Sequence, residues 1–308
     1  MSPNRPLTKQ ILTSRPYLSH FRPVSPILYF MHMHFTDKTA MQNQINSWKA
    51  DGLTTAIVPT MGNLHQGHLS LVRTAADHAD KVIVSIYINP AQFAAHEDFD
   101  TYPRSHDADF SLLEKTGCCD GIYAPDTMYS DSHATMIMPE GAAGGFEAEK
   151  RPHFFRGVAT IVLKLFNHVP ADIAIFGEKD FQQLLVIKQM VADLDVPVNI
   201  IASPTIRDVD GLALSSRNGY LSAEQRAIAP TLYASLQQVR HDIMSGTPIE
   251  QAIAAGKQQI LDGGFDSLDY LGYCNRADLQ PLSHYSEQSV LLVAARLGTT
   301  RLIDNLSL

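Results

Sequence analysis

Between residues 35 and 205, short β-branched and apolar runs alternate with stretches whose apolar residues return every three or four positions. Phe35 to Asp51 predicts a helix, with Thr36 or Asp37 as N-cap and Asp51-Gly52 as the closing turn. Thr55 to Pro59 predicts a buried strand, and the helical stretch after it puts Leu69, Val72, Ala75, Ala76 and Ala79 on one face. A second buried strand follows at Val82 to Ile88. Strand, helix and strand in so short a span make a βαβ unit, which predicts a parallel sheet with ligands beyond the carboxyl ends of its strands. A strand at Ile173 to Phe176, a helix at Phe181 to Asp193 and a strand at Val198 to Ile201 continue the alternation. Past Thr205 the pattern changes. Ser222 and Gln225 form a capping box, helices are predicted near 223 to 244 and 248 to 262, and apolar strands near 269 to 274 and 289 to 295. The expected fold class is therefore α/β, a parallel-sheet domain over 33–204, with a smaller α+β C-terminal domain over 205–308.

The chain has 308 residues, of which 45% are hydrophobic and 18% charged, enough to bury one large core or two smaller ones. A formal net charge of -8 argues against a surface built to neutralise nucleic-acid phosphates, so any anion site must be local. Cys118, Cys119 and Cys274 lack the spacing of a disulfide framework, which fits a reducing cytoplasm. No apolar run approaches the ~20 residues that cross a bilayer. Residues 1–32 carry Arg5, Lys9, Arg15 and Arg22, with no acid before Asp37. This composition weakly resembles a transit peptide, but the expectation is a disordered extension, with Met31 or Met33 beginning the functional chain. His32 and His34 alternate as a pair that could touch a metal or stay solvated.

Three polar clusters follow predicted strands. Met61, Gly62, Asn63, Leu64, His65, Gln66, Gly67 and His68 lie between strand and helix, where unpaired N–H groups and the helix dipole favour phosphate. The His-x-Gly-His spacing lets His65 and His68 donate to charge that grows on a phosphate chain during displacement. Gly177, Glu178, Lys179 and Asp180 offer a cation for pyrophosphate oxygens and a carboxylate for a ribose hydroxyl or hydrated Mg²⁺. Asn89 to Phe93 supplies Gln92, which with Gln183 suits a small substrate bearing a carboxylate and hydroxyls beside apolar carbon. Ser215, Ser216 and Arg217, at the domain junction, have the chemistry of a mobile phosphate clamp. Arg151 and Arg156 flank a candidate anion loop. Each cluster alone also reads as a solvated turn; their shared place after strands is what joins them.

Pro59 to His68, Asn89 to Phe93, Tyr102-Pro103-Arg104, Gly177 to Gln183 and Ser215 to Asn218 together closely resemble the pantothenate synthetase family, in order, from about Phe35 to Leu306. The resemblance implies a nucleotidyltransferase fold, a dimer, and the joining of pantoate to β-alanine with ATP and Mg²⁺ through a pantoyl adenylate. It implies ATP contacts at Met61 to His68, Gly177 to Asp180, Ile206 and Leu214 to Arg217, a proton donor at His68, and a phosphate contact at His65. It also implies Gln92 at pantoate and then β-alanine, and Gln183 at pantoate. Where the family has Arg-Pro-Gly-His-Phe-Arg-Gly, this chain has Arg151-Pro152-His153-Phe154-Phe155-Arg156-Gly157. The alternatives are another adenylyl transferase with the same histidine signature, or a nucleotide-binding scaffold without catalysis.

Overall fold

The computed structural model describes residues 33–94 and 97–308; the expected N-terminal extension and His32 lie outside the described residues. Nine strands and nine α-helices are described: β1 (Met33–Phe35), α1 (Lys38–Ala50), β2 (Thr55–Thr60), α2 (Gln66–His78), β3 (Lys81–Ile86), α3 (His106–Thr116), β4 (Gly121–Tyr123), α4 (Phe146–Lys150), α5 (Phe154–His168), β5 (Ile173–Gly177), α6 (Phe181–Asp193), β6 (Asn199–Ser203), α7 (Ala223–Ile228), α8 (Thr231–Met244), α9 (Ile249–Asp262), β7 (Ser267–Asn275), β8 (Ser289–Leu297) and β9 (Thr300–Ser307).

Six strands form one parallel sheet in the order β1-β4-β3-β2-β5-β6. Successive side chains of a strand face opposite ways, and here both faces are apolar. Ala56, Val58, Val82, Val84 and Ile175 pack against Leu69, Val72 and Ala75 of α2 and Leu113 of α3. Ile57, Ile83, Ala174 and Phe176 pack on the other side against α1, α5 and α6. A sheet covered on both faces needs continuous apolar strands, which is why β2, β3 and β5 are legible as unbroken runs. From β2 the chain crosses to β3 on one side, and from β5 to β6 on the other. The crevice between the carboxyl ends of β2 and β5 is therefore the topological switch point.

A separate antiparallel sheet, β7-β8-β9, packs with α8 and α9 around Leu236, Val239, Ile260, Leu291 and Val293. Phe181 of α6 packs with Cys274, Val290 and Leu292 of this second sheet, joining the two layers beside the Gly177–Asp180 turn.

Several elements differ from expectation. Phe35, expected to open a helix, instead ends a strand, Met33–Phe35, paired with β4, and Asp37 caps α1 by accepting from the Ala40 N–H at 2.8 Å. The expected helix over 223 to 244 divides at Pro230, which has no N–H to continue the ladder. His34 packs edge-on against Phe110, with ring centroids 4.5 Å apart. Among the described residues no group of three or more His, Cys, Asp or Glu could hold a metal, and no helix is long and apolar enough to cross a membrane.

Candidate active site

A cavity of about 820 Å³ opens at the switch point. Met61 and His65, on either side of the turn after β2, line it. Gly62 at φ 81° and Asn63 at φ 50° lie in the left-handed region, and a Cβ at Gly62 would stand 3.0 Å from Asp109 Oδ2. Asp109, only 1% exposed, accepts from the N–H groups of Asn63 at 2.9 Å and Leu64 at 2.8 Å, which satisfies donors stranded by the turn.

His65 is the N-cap of α2, and its Nδ1 accepts from the Gly67 N–H at 3.1 Å. His68 Nδ1 accepts from the His65 N–H at 3.3 Å. A ring nitrogen that accepts carries no proton, so each neutral ring keeps its hydrogen on Nε2. Burial, with Lys179 adding to it, pulls the His65 pKa down to about 4. Burial followed by the neighbouring His65 and Lys179 pulls His68 to about 3. Both histidines are thus neutral N–H donors near neutral pH, with centroids 4.1 Å apart. Gly67 must be small here, because a Cβ would meet the His65 ring at 2.8 Å.

Lys179 enters from the turn after β5. Its backbone is fastened from β9, where Asn305 Nδ2 donates to the carbonyls of Glu178 at 2.8 Å and Lys179 at 2.9 Å. Asp180 Oδ2 is 3.9 Å from the Lys179 ammonium. Ser216 Oγ donates to the Asn63 carbonyl at 3.0 Å and ties the Ser215–Arg217 segment to the turn after β2. Arg217 donates from Nη2 to Asp98 Oδ1 at 2.9 Å and from Nε to Oδ2 at 3.2 Å. Ile206 and Leu214 line the same wall, and the Leu214 N–H donates to the Ile206 carbonyl at 2.9 Å.

The opposite half of the cavity is smaller in chemistry. Gln92 Nε2 donates to Met61 Sδ at 3.0 Å, and its Oε1 accepts from Asn89 Nδ2 at 3.1 Å. Asn89 also receives Tyr129 Oη at 2.8 Å and donates to the Gly157 carbonyl at 3.1 Å. Gln183, in the first turn of α6, also lines the cavity. Phe154, Val158, Ile161 and Val162 of α5, with Phe176 of β5, supply the apolar wall.

The structure thus brings Met61, His65, Gly67, His68, Gln92, Gly177, Lys179, Asp180, Gln183, Ile206, Leu214, Ser215, Ser216 and Arg217 to one cavity. Gly62, Asn63, Leu64 and Gln66 shape the turn without lining it, and Glu178 instead pairs with Arg276 at 2.8 Å. The candidate anion loop is different from expectation. Arg151 is consumed by Glu97 at 2.6 Å and Glu147 at 3.2 Å, and Arg156 is exposed outside the cavity. Phe154 offers its ring face to the Arg151 guanidinium at 3.9 Å, while His153 does not line the cavity and its Nε2 is buried without a partner. Sequence reasoning missed Asp98, Asp109, Glu147, Arg301 and Asn305. Asp109 and Glu147 had a local signal, each as an acid in the first turn of a helix.

Known proteins resemble this chain in sequence and in fold. A family profile described as Pantoate-beta-alanine ligase matches residues 33–307. The pantothenate synthetase of Rhodopseudomonas palustris (strain HaA2) is 50% identical over 272 residues, covering 87% of this chain and 95% of that protein. The crystal structure of the pantothenate synthetase from Thermus thermophilus aligns with a TM-score of 0.83 and 39% identity, covering 89% of this chain and 99% of the other. That of the pantoate-beta-alanine ligase from Francisella tularensis, complexed with beta-gamma ATP and beta-alanine, aligns at 0.75 with 33% identity, covering 90% and 97%. With its fold and nearly its whole described length matched, the chain belongs to the pantoate-beta-alanine ligase family.

Proposed function

We propose that this chain condenses (R)-pantoate with β-alanine at the expense of ATP, giving pantothenate, AMP and pyrophosphate through a pantoyl adenylate. The observation that carries this reading is one cavity with two unlike halves: Nε2 donors and cations on one side, amides and apolar carbon on the other. Met61 to His68, Gly177 to Asp180, Ile206 and Leu214 to Arg217 bind ATP, the residues outside the cavity acting through the backbone they shape. Gln92 and Gln183 orient pantoate by their amides, with its methyl groups on the α5 wall, and Gln92 then faces β-alanine.

In the first step a pantoate carboxylate oxygen attacks the α-phosphorus, and the bond to the pyrophosphate oxygen breaks. His65 and His68 donate from Nε2, and Lys179 and Arg217 add positive charge, where negative charge develops. The proton-donor role that the resemblance gives His68 becomes that of a neutral hydrogen-bond donor, since its pKa lies near 3. In the second step the free amine of β-alanine attacks the acyl carbon, AMP leaves with the bonding pair, and the amine gives up a proton to form the amide. Holding both reactants in one cavity removes much of the entropic barrier.

Mg²⁺ enters as the partner of ATP, neutralising phosphate charge. Phosphates and water would be its chief ligands, and Asp180, which lines the cavity, would be the carboxylate to receive it. The reading also includes a Rossmann-like domain over 33–204, a C-terminal domain over 205–308 covering ATP, a homodimer and a cytoplasmic setting. Pyrophosphate exchange tests it. Pantoate alone should drive label from pyrophosphate into ATP, and adding β-alanine should divert the adenylate to pantothenate with release of AMP. Folded protein that gives neither signal would refute the assignment.

A further inference from the structure

The second sheet reaches the acyl half of the cavity through buried charge. Arg301 on β9 donates to Glu147 from Nη1 at 2.7 Å and from Nη2 at 2.8 Å, and from Nε to Asp269 at 2.6 Å. Glu147 also receives Tyr270 Oη at 3.1 Å and Arg151 Nη1 at 3.2 Å. Arg151 grips Glu97 with Nε at 2.6 Å and Nη2 at 2.7 Å, and donates to the main-chain carbonyl of Gln92 at 3.1 Å. A continuous line of hydrogen bonds therefore runs from β9 to the residue that faces the acyl group. The side chains of Arg301, Glu147 and Arg151 are 14%, 7% and 13% exposed.

The surrounding backbone is shaped for this cluster. Successive residues of a regular strand face opposite ways, yet Asp269 and Tyr270 both reach the network because the β7 register shifts between Leu268 and Tyr270. Just before Glu147, Gly145 and Phe146 have φ of 65° and 42°, the second costly for a residue with a Cβ. Gln182 of α6 holds that bend, accepting from the Glu147 N–H at 3.0 Å and donating to the Gly144 carbonyl at 2.8 Å. Gly272 is small because a Cβ there would lie 2.4 Å from the Phe146 ring. Desolvated ion networks are weak sources of stability and better attested as devices of register. Strand β9 is placed for that purpose: three and four residues beyond Arg301, Asp304 grips Arg207 at 2.6 Å and Asn305 holds the Lys179 turn.

We infer that Arg301 and Glu147 are positioning residues for the acyl substrate. They register the second sheet against the loop carrying Gln92, so that the strand which fastens the Lys179 turn also sets the pantoate site. The inference rests on the function proposed above and extends it to residues given no part in its two chemical steps.

The test compares adenylate formation by wild type, Arg301→Gln/Glu147→Gln, Arg301→Lys and Gln92→Ala, with thermal melting of each. The paired change removes both charges of the pair together and leaves Asp269 to Arg296 at 3.9 Å, whereas lysine keeps the charge but loses the two-pronged fork. The expected result is a rise of about tenfold or more in KM for pantoate, with less than about twofold change in KM for ATP. Combining the paired change with Gln92→Ala should add little to the pantoate KM of Gln92→Ala alone, because the first acts through the second. Equal changes for ATP and pantoate, or full additivity with Gln92→Ala, would overturn the inference and leave a purely structural network. If the paired variant does not fold, Arg301→Lys decides: a folded lysine variant with wild-type pantoate KM also overturns it. A wild-type enzyme that makes no pantothenate would instead sink the function itself.

Discussion

Asp109, in the first turn of α3, accepts from the Leu64 N–H at 2.8 Å across 45 residues of chain, and from Asn63 beside it at 2.9 Å. Replacing it with Ala strands two donors, each costing about 1–3 kcal/mol when a buried group loses its partner. Asp109→Ala should therefore unfold at lower urea concentration and bind ATP more weakly, because the turn that carries His65 relaxes. Asp109→Asn presents at most one acceptor oxygen and should fall between the two. Equilibrium unfolding alongside ATP titration checks this; wild-type values for both would free the turn from Asp109.

Gly157, in the first turn of α5, stands against the loop that carries Gln92. A Cβ there would lie 2.3 Å from the Ala91 carbonyl oxygen and 2.7 Å from the Gln92 nitrogen, and backbone cannot rotate aside as a side-chain tip can. Gly157→Ala should destabilise the protein by about 1–3 kcal/mol, the usual cost of overpacking, despite the higher helix propensity of alanine. It should also raise KM for pantoate more than for ATP. An alanine variant as stable as wild type would show that the loop yields.

The strands β2, β3, β5 and β6 were legible because a sheet buried on both faces demands apolar runs. Gly121–Tyr123 was not, being only three residues long and preceded by Cys119 and Asp120. Strand β9 was hidden by burying Asp304 and Asn305, whose partners Arg207 and Lys179 come from distant turns. Helix α5 opens without a side-chain cap at His153, so its first turn reads as loop. The site shows the same division. His65, His68, Lys179 and Gln92 follow strand ends and announce themselves locally. Asp98, Glu147 and Arg301 act on partners 119 and 154 residues away, a relationship that no local pattern encodes.

The histidine pair gives a pH prediction. With pKa values near 4 for His65 and near 3 for His68, neither changes charge between about pH 5 and about pH 8, where an ordinary histidine would. Their folded pKa values lie below the unfolded 6.5, so the unfolded chain binds more protons in between. Their contribution to stability is complete above 6.5 and is lost as pH falls toward about 4 and then about 3. His68→Gln should lose stability less steeply than wild type over that window. His68→Ala should slow adenylate formation by about 100- to 1,000-fold, with a smaller effect on ATP affinity. Single-turnover measurements separate the two, and unchanged turnover would remove His68 from the mechanism.

Deletion of residues 1–32 should leave folding and turnover intact, because the family match begins at residue 33 and β1 retains its pairing with Gly121–Tyr123. The measurement is thermal melting and pantothenate formation by a chain starting at Met33. Precipitation or loss of activity would show that the segment contributes to the core.

Arg217 is held by a carboxylate where the proposed function needs it to meet phosphate. Burial works against its charge, but the bonds to Asp98 outweigh this and hold its pKa above the ordinary value. Tyr220 Oη adds a contact to the same carboxylate at 3.4 Å. Triphosphate must therefore exchange Asp98 for its own oxygens, and the ion pair is part of the cost of binding. Asp98→Asn keeps the shape and removes the charge, so ATP should bind about fivefold tighter, the scale of the roughly 1 kcal/mol that a partly exposed pair supplies. The difference should shrink as salt is raised, since screening already weakens the pair in wild type. Arg217→Ala should do the reverse and weaken ATP binding. Titration calorimetry at low and high salt separates competition from positioning: if Asp98→Asn weakens ATP as Arg217→Ala does, Asp98 holds the guanidinium in place for phosphate rather than competing with it.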